Sequence, residues 1–320
     1  MKKLYFIAGS QDLYGEAVLR QVAKDAKDIA DFLNGQLAPA VGVEYAATVR
    51  DSDEAEDVLV KASADKDCVG VICWMHTFSP AKMWIRGLQA LKKPLLHLHT
   101  QHNEKLPYDS IDMDFMNLNQ SAHGDREFGF ICTRLGVKRE VVVGYYKHPE
   151  TVEAIRKFAD VATALNFSHG MKVAMFGNNM RDVAVTDGDR VESEIRYGWN
   201  VNYYAVGDLV SLVNAVTEEE TDKKMAQYAA KYTMATDNIA SVREQARYEI
   251  ALEKFIEKER VGAFTDTFQD LYGLRQLPGL AVQDIMASGI GFGPEGDYKT
   301  SALMAVMCKM AENRTGATAF

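Results

Sequence analysis

Glu295 lies in a glycine-rich segment, residues 291–297, close to the end of the 320-residue sequence. A carboxylate in such a turn contributes little to a hydrophobic core, but it can direct a negative charge into a cleft. One carboxylate can act as a general acid or base, or as a metal ligand. An exposed loop glutamate without a role is the alternative, although Phe292 and Pro294 favour a packed loop. We expect Asp297 to cap the helix that follows.

Three histidines occur close together at His97, His99 and His102. His97 and His99 would share one face of a strand, because alternate residues of a strand point the same way. Imidazole is a common metal ligand, but it is equally common in hydrogen-bonded polar networks. The closely spaced companion ligands of a typical zinc site are missing. The sequence leaves both interpretations open.

Other polar groups follow apolar runs. The loop from Ser10 to Gly15 follows the first apolar run but lacks the glycines of a dinucleotide fingerprint. Its glutamine and tyrosine suit a polyhydroxylated ligand, and an ordinary strand-to-helix turn is the alternative. Ser79 and Pro80 predict the N-cap and first residue of a helix. His123 is expected near the start of a helix capped by Asn119 or Ser121.

The elements that position these residues alternate regularly. Apolar runs predict strands, and segments with helical periodicity separate them. The predicted strands are Leu4–Ala8, Val43–Thr48, Val69–Trp74 and Pro94–Leu98, and the predicted helices are Ala17–Leu33, Asp53–Ala64 and Pro80–Leu91. Strands that are apolar on both faces indicate a parallel sheet covered by helices. The polar loops would then meet at the carboxyl edge, where such sheets bind ligands.

A second alternating section begins near Met171. It contains predicted strands at Lys172–Phe176 and Val201–Val206, and a long helix from about Ala235 to Glu259 that ends at Gly262. We therefore predict an α/β fold of two doubly wound domains with mainly parallel sheets, residues 1–169 and 170–320. Residues 315–320 are expected to form a strand or linker that leads into a third domain.

Composition limits the class of protein. The net charge of −9 argues against nucleic acid or an anionic membrane as partner. No apolar run is long enough to span a membrane. The four cysteines lack zinc-type spacing, so we expect reduced thiols and a cytoplasmic protein.

Taken together, these segments resemble the L-arabinose isomerase family. The resemblance covers the whole chain and rests on long, ordered motifs. The segments are Gly9–Gly15, His76–Trp84, Asp109–Gln120, Ala122–Gly124, Arg126–Gly129, Met180–Gly188, Leu277–Gln283, Glu295–Asp297 and Lys299–Thr300.

The resemblance implies an aldose–ketose isomerase that converts L-arabinose to L-ribulose with Mn²⁺, and D-galactose to D-tagatose as a side activity. It implies proton transfer between adjacent sugar carbons through an enediol, and a homohexamer. Glu295 matches a catalytic glutamate that also binds the metal. The positions that match the sugar pocket are Gln11, Leu13, Tyr14, Met180 and Phe268, and His123 matches a histidine that reaches a neighbouring subunit's site.

The family's second glutamate and two histidine ligands lie beyond the matched residues. We therefore expect a truncated chain that is inactive alone, binds Mn²⁺ weakly or not at all, and is complemented by a separate C-terminal chain. A non-catalytic sugar-binding or regulatory protein built from the same two domains is the alternative. A dehydrogenase is disfavoured because the phosphate-binding glycines are missing.

Overall fold

The structure is a computed structural model, and it describes residues 1–314. The chain forms two compact units, one of residues 1–163 and one that begins at Ala164. Both units are α/β with parallel sheets, which confirms the predicted fold class. The domain boundary expected after residue 169 lies just beyond the helix Pro149–Ser168, whereas the two units divide within that helix. The expected strand or linker at residues 315–320 lies outside the described residues.

The first unit is built on a parallel sheet with the order β2-β1-β3-β4-β5. Its strands are β1 (Lys3–Gly9), β2 (Gly42–Val49), β3 (Cys68–Met75), β4 (Leu95–His99) and β5 (Glu140–Val143). Its helices are α1 (Gly15–Leu37), α2 (Ser52–Ala64), α3 (Ile85–Ala90), α4 (Met113–Leu118), α5 (Ser121–Leu135) and α6 (Pro149–Ser168). Every residue of β3 is buried, because helices cover both faces of this central strand.

Alternate side chains of these strands supply two separate cores. Phe6 and Trp74 pack on the face covered by α1 and α6, whereas Ile7 and Cys73 pack on the face covered by α2 and α5. This alternation explains why the strands are apolar at nearly every position. All four cysteines are free thiols, as the sequence predicted. No helix within residues 1–314 has the length and apolarity that crossing a membrane requires.

The second unit repeats the architecture with a parallel sheet in the order β7-β6-β8-β9. Its strands are β6 (Lys172–Phe176), β7 (Asn200–Tyr204), β8 (Val261–Asp266) and β9 (Gly291–Phe292). Its helices are α7 (Arg190–Tyr197), α8 (Val206–Ala215), α9 (Glu218–Lys231), α10 (Ile239–Glu259), α11 (Gly279–Met286) and α12 (Tyr298–Ala311).

The predicted last residue of the long helix, Glu259, is confirmed, whereas the helix begins at Ile239 rather than near Ala235, and Arg260 rather than Gly262 terminates it. Helix α10 ends at Glu259, and Arg260 adopts a left-handed conformation with φ of +57°. The N–H of Arg260 donates to the carbonyl of Ile256, which closes the last turn. Because this residue turns the chain at once, strand β8 begins at Val261 and includes Gly262.

The two helix caps predicted for the first unit, Ser79 and either Asn119 or Ser121, are wrong. Ser79 does not cap a helix: a 3-10 turn at Ala81–Trp84 follows Pro80, and the Ser79 hydroxyl accepts from the indole N–H of Trp84. Gln120 precedes α5 and makes no side-chain cap. The Ser121 hydroxyl instead accepts from the amide of Gln101 at 2.7 Å, and the Asn119 amide donates to a backbone carbonyl. Ser79 and Ser121 use their hydroxyl groups in contacts with other side chains, and the Asn119 amide bonds within the preceding helical turn, so none of the three caps a helix.

Candidate functional site

The loops that follow β1 and β3 meet at the carboxyl edge of the first sheet. The chain reverses its strand order between these two strands, which is where doubly wound sheets bind ligands. The hydroxyl groups of Ser10 and Thr77 share a hydrogen bond of 2.8 Å across this point, and both residues are buried. The sequence-based expectation that polar loops gather at one edge is confirmed.

Gln11, Leu13 and Tyr14 lie in and beside a 3-10 turn, Asp12–Tyr14, at this edge. The Leu13 side chain is 83% exposed, so it does not belong to the core of this unit. The phenol oxygen of Tyr14 accepts a hydrogen bond of 3.2 Å from the amide of Gln120. The turn is therefore linked to the segment that precedes α5.

His123 lies in the first turn of α5, as expected, and is exposed. Its ring contacts Phe78 edge-on, with centroids 6.0 Å apart. Its backbone N–H donates to the carbonyl of Gln120 at 3.3 Å. Since Gln120 also contacts Tyr14, the structure brings the elements that carry Tyr14 and His123 together.

His97 and His99 lie on the same side of β4, as their spacing predicted, with ring centroids 4.1 Å apart. Nε2 of His97 lies 2.8 Å from Oδ1 of Asp125, and Nδ1 lies 3.1 Å from Nε2 of His99. Burial lowers the pKa of His97 to about 3 and raises the pKa of Asp125 to about 7. His97 is therefore neutral, and both of its ring nitrogens are used. This polar network attaches α5 to β4.

His102 does not join the other two histidines, so the three do not form one site. Its Nε2 lies 3.6 Å from Oδ1 of Asp25 and 3.7 Å from Oδ2 of Asp28, both on α1. The second oxygen of Asp25 lies 2.8 Å from Nε2 of His76. Burial alone would raise the pKa of Asp25, but the hydrogen bond and charge of His76 lower it. The buried Asp25 carboxyl group is therefore ionised.

Glu295 lies at the corresponding edge of the second sheet, where the strand order reverses between β6 and β8. Its backbone carbonyl accepts a hydrogen bond of 2.9 Å from the N–H of Met180, in the loop after β6. The N–H of Gly296 donates to the carbonyl of Asp266, the last residue of β8, also at 2.9 Å. Asp297 caps α12 by accepting from the backbone N–H of Lys299 and Thr300, as predicted.

A cavity of about 380 Å³ opens beside Glu295. Asp266 and Phe268 line it together with Glu295, whose side chain is partly exposed. The rest of its lining is mainly apolar and includes Leu277, Pro278, Val282, Met286 and Phe292. A mostly apolar cavity with a few convergent polar groups is the usual form of a small-molecule site.

Asp266 is the one carboxylate of this cavity that the sequence analysis missed. It is 8% exposed, and burial raises its pKa to about 6. A carboxyl group with a pKa close to neutral can exchange protons with a substrate at physiological pH. The feature that could have revealed Asp266 is the short strand-like sequence Val261–Asp266. It was overlooked because Gly262, its second residue, was assigned to the end of the preceding helix. Its aspartate stands at the carboxyl end of the strand, where ligand-binding residues concentrate.

Two family models match the chain. The L-arabinose isomerase N-terminal domain matches residues 1–170, and the L-arabinose isomerase central domain matches residues 172–313. Each match contains one of the two sheet edges described above.

L-arabinose isomerases from several bacteria are similar to this chain over almost all of its residues. The L-arabinose isomerases of Anoxybacillus flavithermus and Clostridium beijerinckii are each 50% identical over 98% of this chain, which spans 64% of their length. The L-arabinose isomerase of Oceanobacillus iheyensis is 50% identical over 98% of the chain, which spans 68% of that relative. Because the two family models and the similarity over 98% of this chain agree, the chain belongs to the L-arabinose isomerase family.

Proposed function

We propose that this chain supplies the sugar-binding and part of the proton-transfer machinery of an aldose–ketose isomerase that acts on L-arabinose. The observation that carries the proposal is the grouping of Glu295, Met180, Asp266 and Phe268 at the strand-order reversal of the second sheet. The names of the relatives supply the reaction and the substrate. D-Galactose as a second substrate, a homo-oligomeric assembly and a cytoplasmic location belong to the same proposal.

The isomerisation moves one proton from C2 of the aldose to C1, while the carbonyl passes from C1 to C2. A base removes the C2 proton while O1 takes up a proton, which gives an enediol. A proton is then returned to C1 while the O2 hydroxyl loses its proton and becomes the carbonyl. We assign Glu295 to one of these roles because its carboxylate borders the cavity. The buried Asp266, with its pKa near 6, can hold or release a proton beside it. The Phe268 ring and the apolar walls would pack against the sugar's carbon face.

The family implies Mn²⁺, which polarises a carbonyl when bound. Carboxylate oxygens such as those of Glu295 and Asp266 are the hard donors that this ion prefers. Within residues 1–314, however, Glu295 belongs to no group of three His, Cys, Asp or Glu side chains close enough to hold an ion. The described residues therefore supply too few ligands to hold the ion by themselves.

Ketose formation from L-arabinose tests the proposal. The purified chain is assayed with and without Mn²⁺, alone and mixed with the C-terminal segment of the Anoxybacillus flavithermus relative, beside the variant Glu295→Gln. We expect no activity from the chain alone, and metal-dependent activity in the mixture that the variant abolishes. Metal-independent pentose binding without turnover in any mixture would instead support the non-catalytic sugar-binding alternative. Activity that survives Glu295→Gln would remove Glu295 from its assigned role.

A further inference from the structure

We propose that Asp25, Asp28 and His102, in the first unit, form a binding site for a divalent transition-metal ion such as Zn²⁺. This site is separate from the residues assigned to isomerisation. Its donor set is one imidazole and two carboxylates, which suits ions of borderline softness. One ligand atom from each of the three side chains lies within 4.8 Å of the other two.

The spacing of these atoms favours a metal over direct hydrogen bonds. Nε2 of His102 lies 3.6 Å from Asp25 and 3.7 Å from Asp28, which is too long for an N–H···O hydrogen bond. Zinc–ligand bonds of about 2.1 Å place neighbouring ligand atoms roughly 3–3.5 Å apart. A movement of a few tenths of an ångström would bring Nε2 of His102 to this distance from both carboxylates. In the His97–His99–Asp125 cluster, by contrast, contacts of 2.8 and 3.1 Å already join the three side chains to one another. Oδ1 of Asp25 accepts a hydrogen bond of 2.8 Å from Gln21, outside the proposed ligand set.

The core of the unit orients Asp25 for this role. The side chain of Asp25 is 3% exposed, and its Oδ2 is 2.8 Å from Nε2 of His76. The His76 ring is fully buried and stacks on Trp74 at a centroid distance of 4.3 Å. Within the described chain, Nδ1 of His76 is buried without a hydrogen-bond partner, which costs stability. His76 therefore acts through its hydrogen bond to Asp25. Hydrogen bonds to a metal ligand from residues behind it hold that ligand in position.

The other two ligands face a cavity. Asp28 and His102 line a space of about 730 Å³, which would admit the ion and leave coordination positions open to water or a small ligand. One cation already competes for the site, because Nζ of Lys24 donates to Oδ2 of Asp28 at 2.7 Å. The Lys24 side chain is 64% exposed, so it can move into solvent when a metal binds.

Metal binding to the Glu295→Gln chain tests this proposal, because that variant removes the carboxylate assigned to the isomerase metal. The protein is stripped with a chelator and titrated with Zn²⁺ by calorimetry, and with Co²⁺ by its visible absorption. We expect one site, whose affinity falls more than about tenfold when His102→Gln or Asp28→Asn is added. Lys24→Gln should tighten binding, which a purely structural cluster would not do.

His148 supplies the matched control. It contacts Glu104 at 3.3 Å and is about half exposed, and its partner Glu104 lines the same cavity. His148→Asn should leave Zn²⁺ affinity unchanged. No binding to the Glu295→Gln chain, or equal binding by the His102→Gln and His148→Asn variants, would overturn the proposal. Because the Asp28 side chain is 43% exposed on α1, its variant keeps the test valid if His102→Gln fails to fold.

Discussion

The backbone N–H of Met180 donates a hydrogen bond of 2.9 Å to the carbonyl of Glu295. The two residues follow different strands of the same sheet, and Gly296 continues the link by donating to the carbonyl of Asp266. Glu295 is therefore held through its backbone from two sides. The position of its carboxylate depends on the loop conformation, so the loop and the carboxylate can be tested by separate substitutions.

Gly296→Ala should distort this loop. Gly296 has a φ of +79°, and a Cβ atom there would lie 2.3 Å from Cα of Asn179. The left-handed conformation and the backbone clash together should lower the free energy of unfolding by about 2–4 kcal/mol. Urea denaturation measures this loss, and the displaced Glu295 should also lower isomerase activity in the complemented assay.

Gly289→Ala is the control for the conformational part of that loss. Gly289 has a φ of +91°, and an added Cβ would meet nothing within 4 Å. The variant should lose only about 1 kcal/mol. If both alanine variants lose the same free energy, the clash with Asn179 contributes nothing and the loop is less tightly held than its hydrogen bonds indicate.

Glu295→Gly should stabilise the chain while removing its proposed activity. Glu295 has a φ of +66°, which costs a residue with a side chain about 1 kcal/mol relative to glycine. We expect urea denaturation to show a gain of that size and the complemented isomerase assay to show no ketose. Residues of active sites often have strained backbone conformations that lower stability but position a functional group.

Arg260→Gly separates the two effects. Arg260 has a φ of +57° at the end of α10 and lines no part of the cavity beside Glu295. Its replacement should raise stability by a similar amount without loss of activity. A Glu295→Gly variant that is less stable than the parent would show that the carboxylate makes a stabilising contact in the folded chain.

The strands could be predicted where burial on both faces made their sequences apolar. Strand β3 is buried throughout, and its predicted bounds, Val69–Trp74, differ from the observed ones by one residue at each end. Strand β5 was not predicted, because its apolar run, Val141–Val143, is only three residues long and three of the four strand residues are exposed. Strand β9 has two residues, Gly291 and Phe292, and its existence depends on pairing with β8.

The candidate sites could be predicted only where a local motif carried them. The glycine-rich segment pointed to Glu295, whereas Asp266 stands out only after β8 and the cavity are known. Asp25 is one of several charged residues on α1 in the sequence, and nothing local marks it as buried. Its burial and its contact with His76 come from packing between elements far apart in the chain.

Asp266→Asn should change how stability depends on pH. Burial raises the pKa of Asp266 from 3.8 to about 6, so between these values the folded chain holds a proton that the unfolded chain has released. Its contribution to stability therefore falls as pH rises from about 4 to 6, and the cost above that range is about 3 kcal/mol. Asparagine carries no charge and removes this cost. Urea denaturation should show the advantage of the variant growing by that amount between pH 4 and pH 7.5, and an advantage independent of pH would contradict the assignment.

A buried ion pair joins α9 to α10 in the second unit. Nζ of Lys224 donates to Oε1 of Glu249 at 2.7 Å, and their side chains are 10% and 1% exposed. The phenol of Tyr228 donates to the other carboxylate oxygen of Glu249. Lys223, the next residue, pairs with Glu219 in solvent, where both side chains are more than two thirds exposed. The chain thus offers a buried and an exposed lysine pair on one helix.

Lys224→Ala should destabilise the chain far more than Lys223→Ala. Removing Lys224 leaves Glu249 buried without its closest cation, which costs about 3–5 kcal/mol. Removing Lys223 exposes no buried charge, and an exposed pair of this kind contributes about 0–1 kcal/mol. Urea denaturation of the two variants at neutral pH measures the difference, and adding Glu249→Leu to Lys224→Ala should recover part of the loss, because no unpaired charge then remains in the core. Equal losses for the two single variants would show that water or a rearranged side chain reaches Glu249.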